Sequence, residues 1–306
     1  MHRRLWFLPL IALVAASASC DIPGAAPPTA FVFPTPNETL TAVFAPTATP
    51  LIAPTSTPTP PPLATAEATI VTPAIVPPTA TAGTLSSRPN GVVVEAGRFS
   101  TAPAIDGNLS DWPSLPYKVD RIVYGAANWS GPSDASGTFA VGWDEANLYL
   151  AARVVDDLHV QTSTGTNIWR GDEIELQIDT NLASDFYTAS LSADDYQIGL
   201  SPGDFASNPS TDYLWYPSTK AGRTSPATVI ARVKTASGYD LEARIPWSAM
   251  GVTPSESARY GFALSFSDND LAGKAVQQSM VSSVGTRKLL NPTTWGTLAL
   301  LGTVVK

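Results

Sequence analysis

Two short segments bring together residue types that recognise a polyhydroxylated ligand. The segment from Ile105 to Trp112 is a Gly/Asn/Asp turn that ends on a tryptophan. The segment from Trp169 to Asp179 alternates Glu173 and Glu175 with apolar residues. A tryptophan ring can cover the apolar C–H face of a sugar, and carboxylates accept hydrogen bonds from its hydroxyl groups. These segments predict a carbohydrate-binding site that includes Trp169 and Glu175.

The two glutamates could alternatively be a catalytic acid–base pair. Residues two apart on a strand share one face at about 7 Å, and inverting glycosidases use carboxyl groups at a similar separation. Such carboxyl groups flank the scissile bond from opposite sides, whereas Glu173 and Glu175 approach it from one side. We therefore expect a solvated sheet face and no catalysis.

Oxygen-bearing side chains raise the option of structural calcium. Asp106 lies in the first turn, and Asp268 and Asp270 flank Asn269. Calcium takes about six to eight oxygen ligands. Neither segment has a complete calcium-loop signature, so an Asx turn is the default and a calcium ion the alternative. Asp156, which follows a predicted strand, is a further candidate ligand for sugar or metal.

A redox function has less support in the sequence. The chain contains two histidines, His2 and His159, which excludes a zinc site built from several histidines. A haem would need His159, Met250, Met280 or a lysine as axial ligand. The chain has no Cys-x-x-Cys-His attachment motif.

The N-terminus has the features of an export signal. A basic Met1–Arg4 segment precedes an apolar run from Leu5 to Ala18, which is too short for a comfortable membrane span. The single cysteine, Cys20, follows small residues as in a bacterial lipoprotein. We predict a lipoprotein signal peptide over 1–20, lipidation of Cys20 and attachment to the cell envelope by acyl chains. Cleavage after Ala18, which would release a secreted protein, is the alternative.

A Pro/Thr-rich linker follows over residues 21–91. It contains 16 of the 28 prolines and has no packing period, which favours an extended, disordered spacer. The remaining domain, 92–306, carries the whole net charge of −8. No basic cluster indicates nucleic-acid binding.

Alternating hydrophobic residues predict an all-β domain, an antiparallel β-sandwich of immunoglobulin-like or jelly-roll-like type. A hairpin is predicted around Ala236-Ser237-Gly238 and a short helical turn over 246–250. The other expected strands cover 138–143, 148–156, 174–178, 196–200, 260–268 and 297–304.

Several segments occur in an order that resembles a family 9 carbohydrate-binding module. They are Ile105–Trp112, Val141–Asp144, Leu148–Leu150, Asp156, Trp169–Asp179, Tyr239–Trp247, Gly261–Leu264, Asp268–Asp270 and Trp295–Leu298. The resemblance implies a β-sandwich that binds sugar ends in a slot between two tryptophans, with calcium ions stiffening the loops. The architecture is also similar to haem-binding domains of dehydrogenases, so the fold alone does not determine the ligand.

Carried over position by position, the resemblance retains Trp169, Glu175 and Asp156 as ligand residues. The second tryptophan of the slot falls near Leu289, and Trp215 could supply a ring from another loop. Other polar positions of the family hold different residues here, namely Gly199, Ser201 and Ser265. Four further tryptophans are expected in the core, namely Trp112, Trp143, Trp247 and Trp295.

The sequence therefore predicts a non-catalytic, surface-tethered protein that binds polysaccharide or oligosaccharide. A structural or protein-interaction domain on a lipoprotein stalk is the alternative, because half of the resembling sugar site is absent. A haem-binding redox domain is a more distant option.

Overall fold

The computed structural model describes residues 87–305, and the regular secondary structure of this part is almost entirely β-strand. Its strands are β1 (Val94–Phe99), β2 (Tyr117–Val119), β3 (Arg121–Tyr124), β4 (Ala135–Trp143), β5 (Asn147–Asp156), β6 (Glu173–Asp179), β7 (Asp195–Ser201), β8 (Thr211–Tyr216), β9 (Val229–Thr235), β10 (Gly238–Pro246), β11 (Arg259–Asp268), β12 (Ser279–Ser282) and β13 (Gly296–Val305). The α-helix α1 (Trp247–Met250) follows β10, and 3-10 turns cover Leu109–Asp111, Gly165–Arg170, Ser218–Lys220 and Pro292–Thr294. The predicted signal peptide, Cys20 and most of the predicted linker lie outside the described residues.

The strands form one continuous hydrogen-bonded sheet that folds back on itself as a sandwich or barrel. The order is β8-β7-β6-β11-β13-β1-β4-β5-β10-β9, with β12 on β11, β3 on β12 and β2 on β4. Most neighbours are antiparallel, as predicted, but β1 runs parallel to both β13 and β4. The all-β prediction is confirmed. No helix in the described part is long and apolar enough to cross a membrane.

Residues of period two on the central strands build the core. The apolar face of β5 (Leu148, Leu150, Ala152 and Val154) and that of β6 (Ile174, Leu176 and Ile178) are buried in one cluster. Each fully buried valine, leucine or isoleucine side chain stabilises the fold by about 2 kcal/mol. The four tryptophans expected in the core are also buried, namely Trp112, Trp143, Trp247 and Trp295.

The opposite face of β6 is buried as well, which corrects the expectation of a solvated carboxylate face. Glu173 and Gln177 are fully buried, and only 3% of Glu175 is exposed. The 3-10 turn before β6 and the segment after β12 supply groups that contact this face, since Arg287 pairs with Glu175. A strand face made of alternating polar residues can therefore be covered by other parts of the protein. The polarity of these residues does not by itself show that the face is exposed to solvent.

Residues just before β1 already pack against the domain. Arg88 is buried, and its side chain donates to Asp179 Oδ2 at 2.8 Å. The backbone N–H of Arg88 donates to Thr297 Oγ1 at 2.9 Å, and the Asn90 amide donates to the Thr293 carbonyl oxygen at 2.7 Å. Burial raises the pKa of Asp179 to about 6, and the Arg88 guanidinium opposes that rise. Packed structure therefore starts before residue 92.

Arg88→Ala should lower the free energy of unfolding by about 3 kcal/mol, because it leaves the Asp179 carboxylate buried without its cation. Urea unfolding of the full chain, followed by tryptophan fluorescence, measures this change. Arg121→Ala is the control, because its ion pair with Asp120 is exposed and should change the free energy by less than about 1 kcal/mol. Equal losses for the two variants would show that Arg88 does not anchor the domain.

Candidate functional site

A cavity of about 540 Å³ lies on the polar face of β6 and β7 and combines aromatic rings with charged groups. Its lining consists of Val123, Tyr124, Trp169, Glu175, Gln197, Trp215, Gln277, Met280, Arg287, Lys288 and Leu289. A larger cavity of about 710 Å³ lies beside the Gly107–Leu115 segment. Trp112, the tryptophan in that lining, is buried and only 7% exposed, so its ring face is not available to a ligand. The smaller cavity therefore has the better surface for a sugar.

Trp169 presents an accessible ring at the rim of this cavity. It lies in the 3-10 turn Gly165–Arg170 directly before β6, and 38% of it is exposed. The Arg170 guanidinium lies 5.4 Å from its ring centroid, so a cation occupies one side of the indole. The carbonyl oxygen of Trp169 accepts a hydrogen bond from Ser267 Oγ at 3.0 Å. The turn is thus fastened to β11, and the ring is placed by fixed backbone.

Trp215 adds a second aromatic ring to the same cavity. It lies in β8 beside a register shift against β7, and its indole N–H donates to the Thr166 carbonyl oxygen at 2.9 Å. Since Thr166 belongs to the turn that carries Trp169, one short segment positions both rings. Two aromatic rings at one cavity provide stacking surfaces for the apolar faces of sugar rings.

Glycine at position 199 makes room for Trp215. A Cβ atom on Gly199 would lie 2.4 Å from Trp215 Cη2 and 2.3 Å from Glu173 Oε2. Neither neighbour is free to move, because Glu173 is fully buried and the Trp215 indole is hydrogen-bonded. Any larger residue at this position would displace the aromatic ring from the cavity.

The floor of the cavity is a polar network centred on Glu175. Its carboxylate accepts hydrogen bonds from Gln197 Nε2 at 2.7 Å and from the Arg287 guanidinium. Arg287 Nε also donates to Gln177 Oε1 at 2.7 Å. Both members of the Glu175–Arg287 pair are largely buried. Removal of either side chain would therefore leave the other as an uncompensated buried charge. Glu175, Gln197 and Arg287 all line the cavity, so the network fixes hydrogen-bonding groups along its floor.

Glu173 lies behind this floor and outside the cavity lining. It is fully buried, and neither carboxyl oxygen has a hydrogen-bond partner among residues 87–305. Burial raises the pKa of the Glu173 carboxyl well above its ordinary value; the Glu175 carboxylate adds to that rise and the Arg287 guanidinium opposes it. The two glutamates therefore occupy different environments, and only Glu175 faces the cavity.

Comparison with known proteins places this domain in a family. A family model described as "Carbohydrate family 9 binding domain-like" matches residues 105–303, more than half of the chain. The chain belongs to this family. The match covers β2 to β12 and most of β13, and so includes the whole cavity lining.

Segments similar to this domain occur in much longer proteins that are named as enzymes. The chain is 29% identical over 217 residues to an endo-1,4-beta-xylanase A from Thermotoga neapolitana, a match covering 69% of this chain and 18% of that protein. It is 31% identical over 173 residues to the exoglucanase XynX from Acetivibrio thermocellus, covering 56% of this chain and 14% of that protein. The chain thus corresponds to less than a fifth of the length of these relatives.

Solved structures support the fold assignment. A family 9 carbohydrate-binding module from Caldicellulosiruptor kristjanssonii, in complex with cellotriose, matches with a TM-score of 0.51 and 22% identity. That match covers 69% of this chain and 94% of the other. The same module in complex with glucose matches with a TM-score of 0.50. At this identity the comparison concerns the fold.

The family 9 pattern is altered at the aromatic pair. At the position where the resemblance implies a second tryptophan, Leu289 lines the cavity with 39% exposure. Trp215 provides a ring from β8 instead, and Gly199 gives it space. Ser265 is buried, and its Oγ has no hydrogen-bond partner within the described part of the chain. Ser201 accepts a hydrogen bond from its neighbour Gly203 N–H at 3.1 Å and is also buried.

The third predicted ligand residue, Asp156, lies outside the cavity lining. Its carboxylate is 3.3 Å from His159 Nδ1, and Asp172 lies 3.4 Å from the same nitrogen. His159 Nε2 is 2.7 Å from the Gly203 carbonyl oxygen. Both ring nitrogens of His159 therefore contact protein atoms, which opposes its use as a haem ligand. Asp156 and His159 together hold the 202–208 loop against the end of β5.

The candidate metal residues divide between two locations. Asp268 and Asp270 lie with Asp134, and one oxygen of each is within 4.8 Å of the others. Asp106 is exposed and accepts a hydrogen bond from Asn108 N–H at 2.8 Å, an Asx turn. Burial raises the pKa of Asp268 to about 6 and that of Asp270 to about 7, and nearby carboxylates add to both rises. The first group is thus a concentration of negative charge, whereas Asp106 has a turn-forming role.

Several cavity residues were not identified from the sequence. Gln197 could have been found, because it alternates with the buried Tyr196 and Ile198 and must face the same side as Glu175. Arg287 and Tyr124 come from loops and an edge strand far away in sequence, and no local pattern indicates where they contact β6. Their identification needs the tertiary structure.

Gly199→Ala should lower the free energy of unfolding by about 1–3 kcal/mol, because the new methyl group overlaps Trp215 and Glu173. It should also change the fluorescence emission of Trp215, identified by comparison with a Trp215→Phe variant. Gly285→Ala is the control, because a Cβ there meets its nearest atom at 3.6 Å. If Gly199→Ala is as stable as the control, Trp215 does not occupy the position described.

Proposed function

We propose that this protein is a non-catalytic carbohydrate-binding protein that holds polysaccharide or oligosaccharide in the cavity between Trp169 and Trp215. The proposal depends on two tryptophan rings that lie above the Glu175–Arg287–Gln197 network. The Trp215 indole is hydrogen-bonded to the turn that carries Trp169, so the two rings are held together. The rings would contact the apolar faces of the sugar, and the network would exchange hydrogen bonds with its hydroxyl groups.

The choice of sugar follows the relatives. Two proteins with similar domains are named as a xylanase and an exoglucanase, and the similar solved module was bound to cellotriose and to glucose. We propose plant-type β-linked glycans, xylan and cellulose, as the first ligands. Stacking on each ring contributes on the order of 1 kcal/mol beyond the burial of area, so a single site should bind with modest affinity.

The two glutamates support binding over hydrolysis. One carboxylate oxygen of Glu175 accepts from Arg287 and the other accepts from Gln197. Glu173 is fully buried and outside the cavity lining. A glycosidase needs two carboxyl groups on opposite sides of the scissile bond, and the cavity lining supplies a single carboxylate. We therefore propose that the site binds sugar and does not hydrolyse it.

We further propose that the protein is exported and anchored to the cell envelope by lipid on Cys20, with residues 21–91 as spacer. The support is the sequence of the first 91 residues: a basic start, an apolar run, one cysteine and a Pro/Thr-rich stretch. Many copies tethered to one surface would retain an insoluble polysaccharide even when each site is weak. Secretion after cleavage at Ala18 is the alternative.

Structural calcium forms a further part of the proposal. The group of Asp134, Asp268 and Asp270 supplies hard carboxylate oxygens, the donor type that calcium prefers. Asp270 Oδ1 is buried without a hydrogen-bond partner in residues 87–305, so it has an unused acceptor. A divalent cation held there would neutralise the mutual repulsion of the carboxylates and tie β11 to the loop before β4. It has no chemical step to perform.

A protein-interaction function has one observation in its favour. Leu289 and Leu290 are exposed by 39% and 66% where the resemblance implies an aromatic wall. Failure of the folded protein to bind any member of a broad glycan panel, together with specific capture of an envelope protein, would favour this function.

Trp169→Ala and Trp215→Ala should each weaken retention on insoluble xylan or cellulose by about tenfold or more, since each removes a stacking surface. The measurement is a depletion isotherm with the full chain, with circular dichroism to confirm folding. Tyr187→Ala is the control, because Tyr187 is 76% exposed and lies outside the cavity. Retention by both tryptophan variants at the wild-type level would remove this cavity as the binding site.

Calcium should raise the melting temperature by on the order of 5 °C at a concentration about 100 times its Kd. Asp270→Asn should abolish most of this shift, because it removes one ligand from the acidic group. Asp106→Asn should retain it, because Asp106 belongs to an Asx turn outside that group. Scanning calorimetry in calcium and in EDTA measures the difference. An equal shift in all variants would place the ion elsewhere.

A further inference from the structure

The cavity extends well beyond the two tryptophans. Its lining residues come from both ends of one continuous set of strands, in the order β8, β7, β6, β11, β12 and β3. Trp215 lies on β8 at one end and Tyr124 on β3 at the other. The cavity is therefore a groove that crosses the strands.

The length of this groove can be estimated from the strand order. The Trp215 ring lies over β7, and four inter-strand spacings of about 4.8 Å separate β7 from β3, which gives a span of about 19 Å. This distance is several times the width of one sugar ring. Met280 links the two ends, since it pairs with Tyr124 on β3 and with Ser267 on β11.

Tyr124 provides an aromatic surface at the end remote from the tryptophans. It lines the groove, and 54% of it is exposed, more than Trp169. An exposed tyrosine combines a ring face with a hydroxyl group that hydrogen-bonds, and this suits a second sugar-binding position. Lys288 and Gln277 lie in the same lining, and their ammonium and amide groups add hydrogen-bond donors.

The residue at position 289 decides whether the groove is blocked. A slot between two facing rings takes a chain end, because the rings enclose the terminal sugar and the chain cannot continue past them. Here Leu289 stands where the resemblance implies the second of those rings, and the second tryptophan lies on β8 instead. The aromatic residues are thus distributed along the groove, at Tyr124, Trp169 and Trp215.

We propose that this groove binds an internal stretch of a polysaccharide, with successive sugars contacting Trp215, Trp169 and Tyr124, and does not require a chain end. The inference rests on the proposed carbohydrate-binding function and specifies its ligand. The protein would therefore occupy many positions along one chain, whereas an end-binding module can occupy only the ends.

The test is the stoichiometry of the full chain on an unbranched soluble cellulose derivative of known length, measured by titration calorimetry. A linear chain has two ends, so more than two protein molecules per polysaccharide requires internal sites. Cello- and xylo-oligosaccharides of increasing length should bind with rising affinity until the groove is filled. Chemical reduction of the terminal sugar should leave the affinity for long oligosaccharides unchanged.

Two variants test the groove itself. Tyr124→Ala should weaken binding of a hexasaccharide about fivefold and binding of a disaccharide less, whereas the Tyr187→Ala control should change neither. Leu289→Trp restores a ring at the implied wall and should reduce the number of protein molecules per chain.

The possible failures are distinguishable. No binding of any oligosaccharide or polysaccharide by the folded protein would overturn the proposed function and this inference together. Binding at no more than two molecules per chain, with affinity independent of length and lost on terminal reduction, would overturn the internal-chain inference and leave carbohydrate binding intact.

Discussion

The candidate site depends on one constraint, which is that β6 is buried on both faces. The apolar face closes the core, and the polar face can be covered only if its charges find partners. Arg287 and Gln197 satisfy Glu175 and so allow loops to close over the strand while a cavity remains between them. The same covering leaves Glu173 buried without a hydrogen bond in the described residues. A buried carboxyl group without a hydrogen bond opposes stability, so the covering of this face destabilises the fold at Glu173.

The aromatic part of the site depends on a single absent side chain. Because position 199 has no Cβ, the Trp215 ring can lie over β7 and reach the turn that carries Trp169. We propose that this ring takes the place of the one that the resemblance implies at Leu289, in the loop after β12. The groove toward Tyr124 has no aromatic ring at position 289.

Much of the fold could be predicted from local pattern, whereas the site could be predicted only in part. Alternation located β5, β6 and the β9–β10 hairpin to within a few residues, because burial of one face enforces period two. Residue type and the family resemblance single out Trp169 and Glu175, and both line one cavity, while their role in binding stays a prediction. Asp156, retained from the same resemblance, is the last residue of β5 and lies outside that cavity, with its carboxylate 3.3 Å from His159 Nδ1. Arg287 and Tyr124 reach the site through tertiary contacts, which no local period encodes. The solvated face expected for β6 was wrong because covering loops are also non-local.

A crystal structure of the protein with a xylo- or cello-oligosaccharide would test the proposed site most directly. We expect sugar rings stacked on Trp169 and Trp215, with a hydroxyl group in hydrogen-bond contact with Glu175 or its network. An oligosaccharide bound elsewhere on the domain, with the cavity between these tryptophans empty, would contradict it.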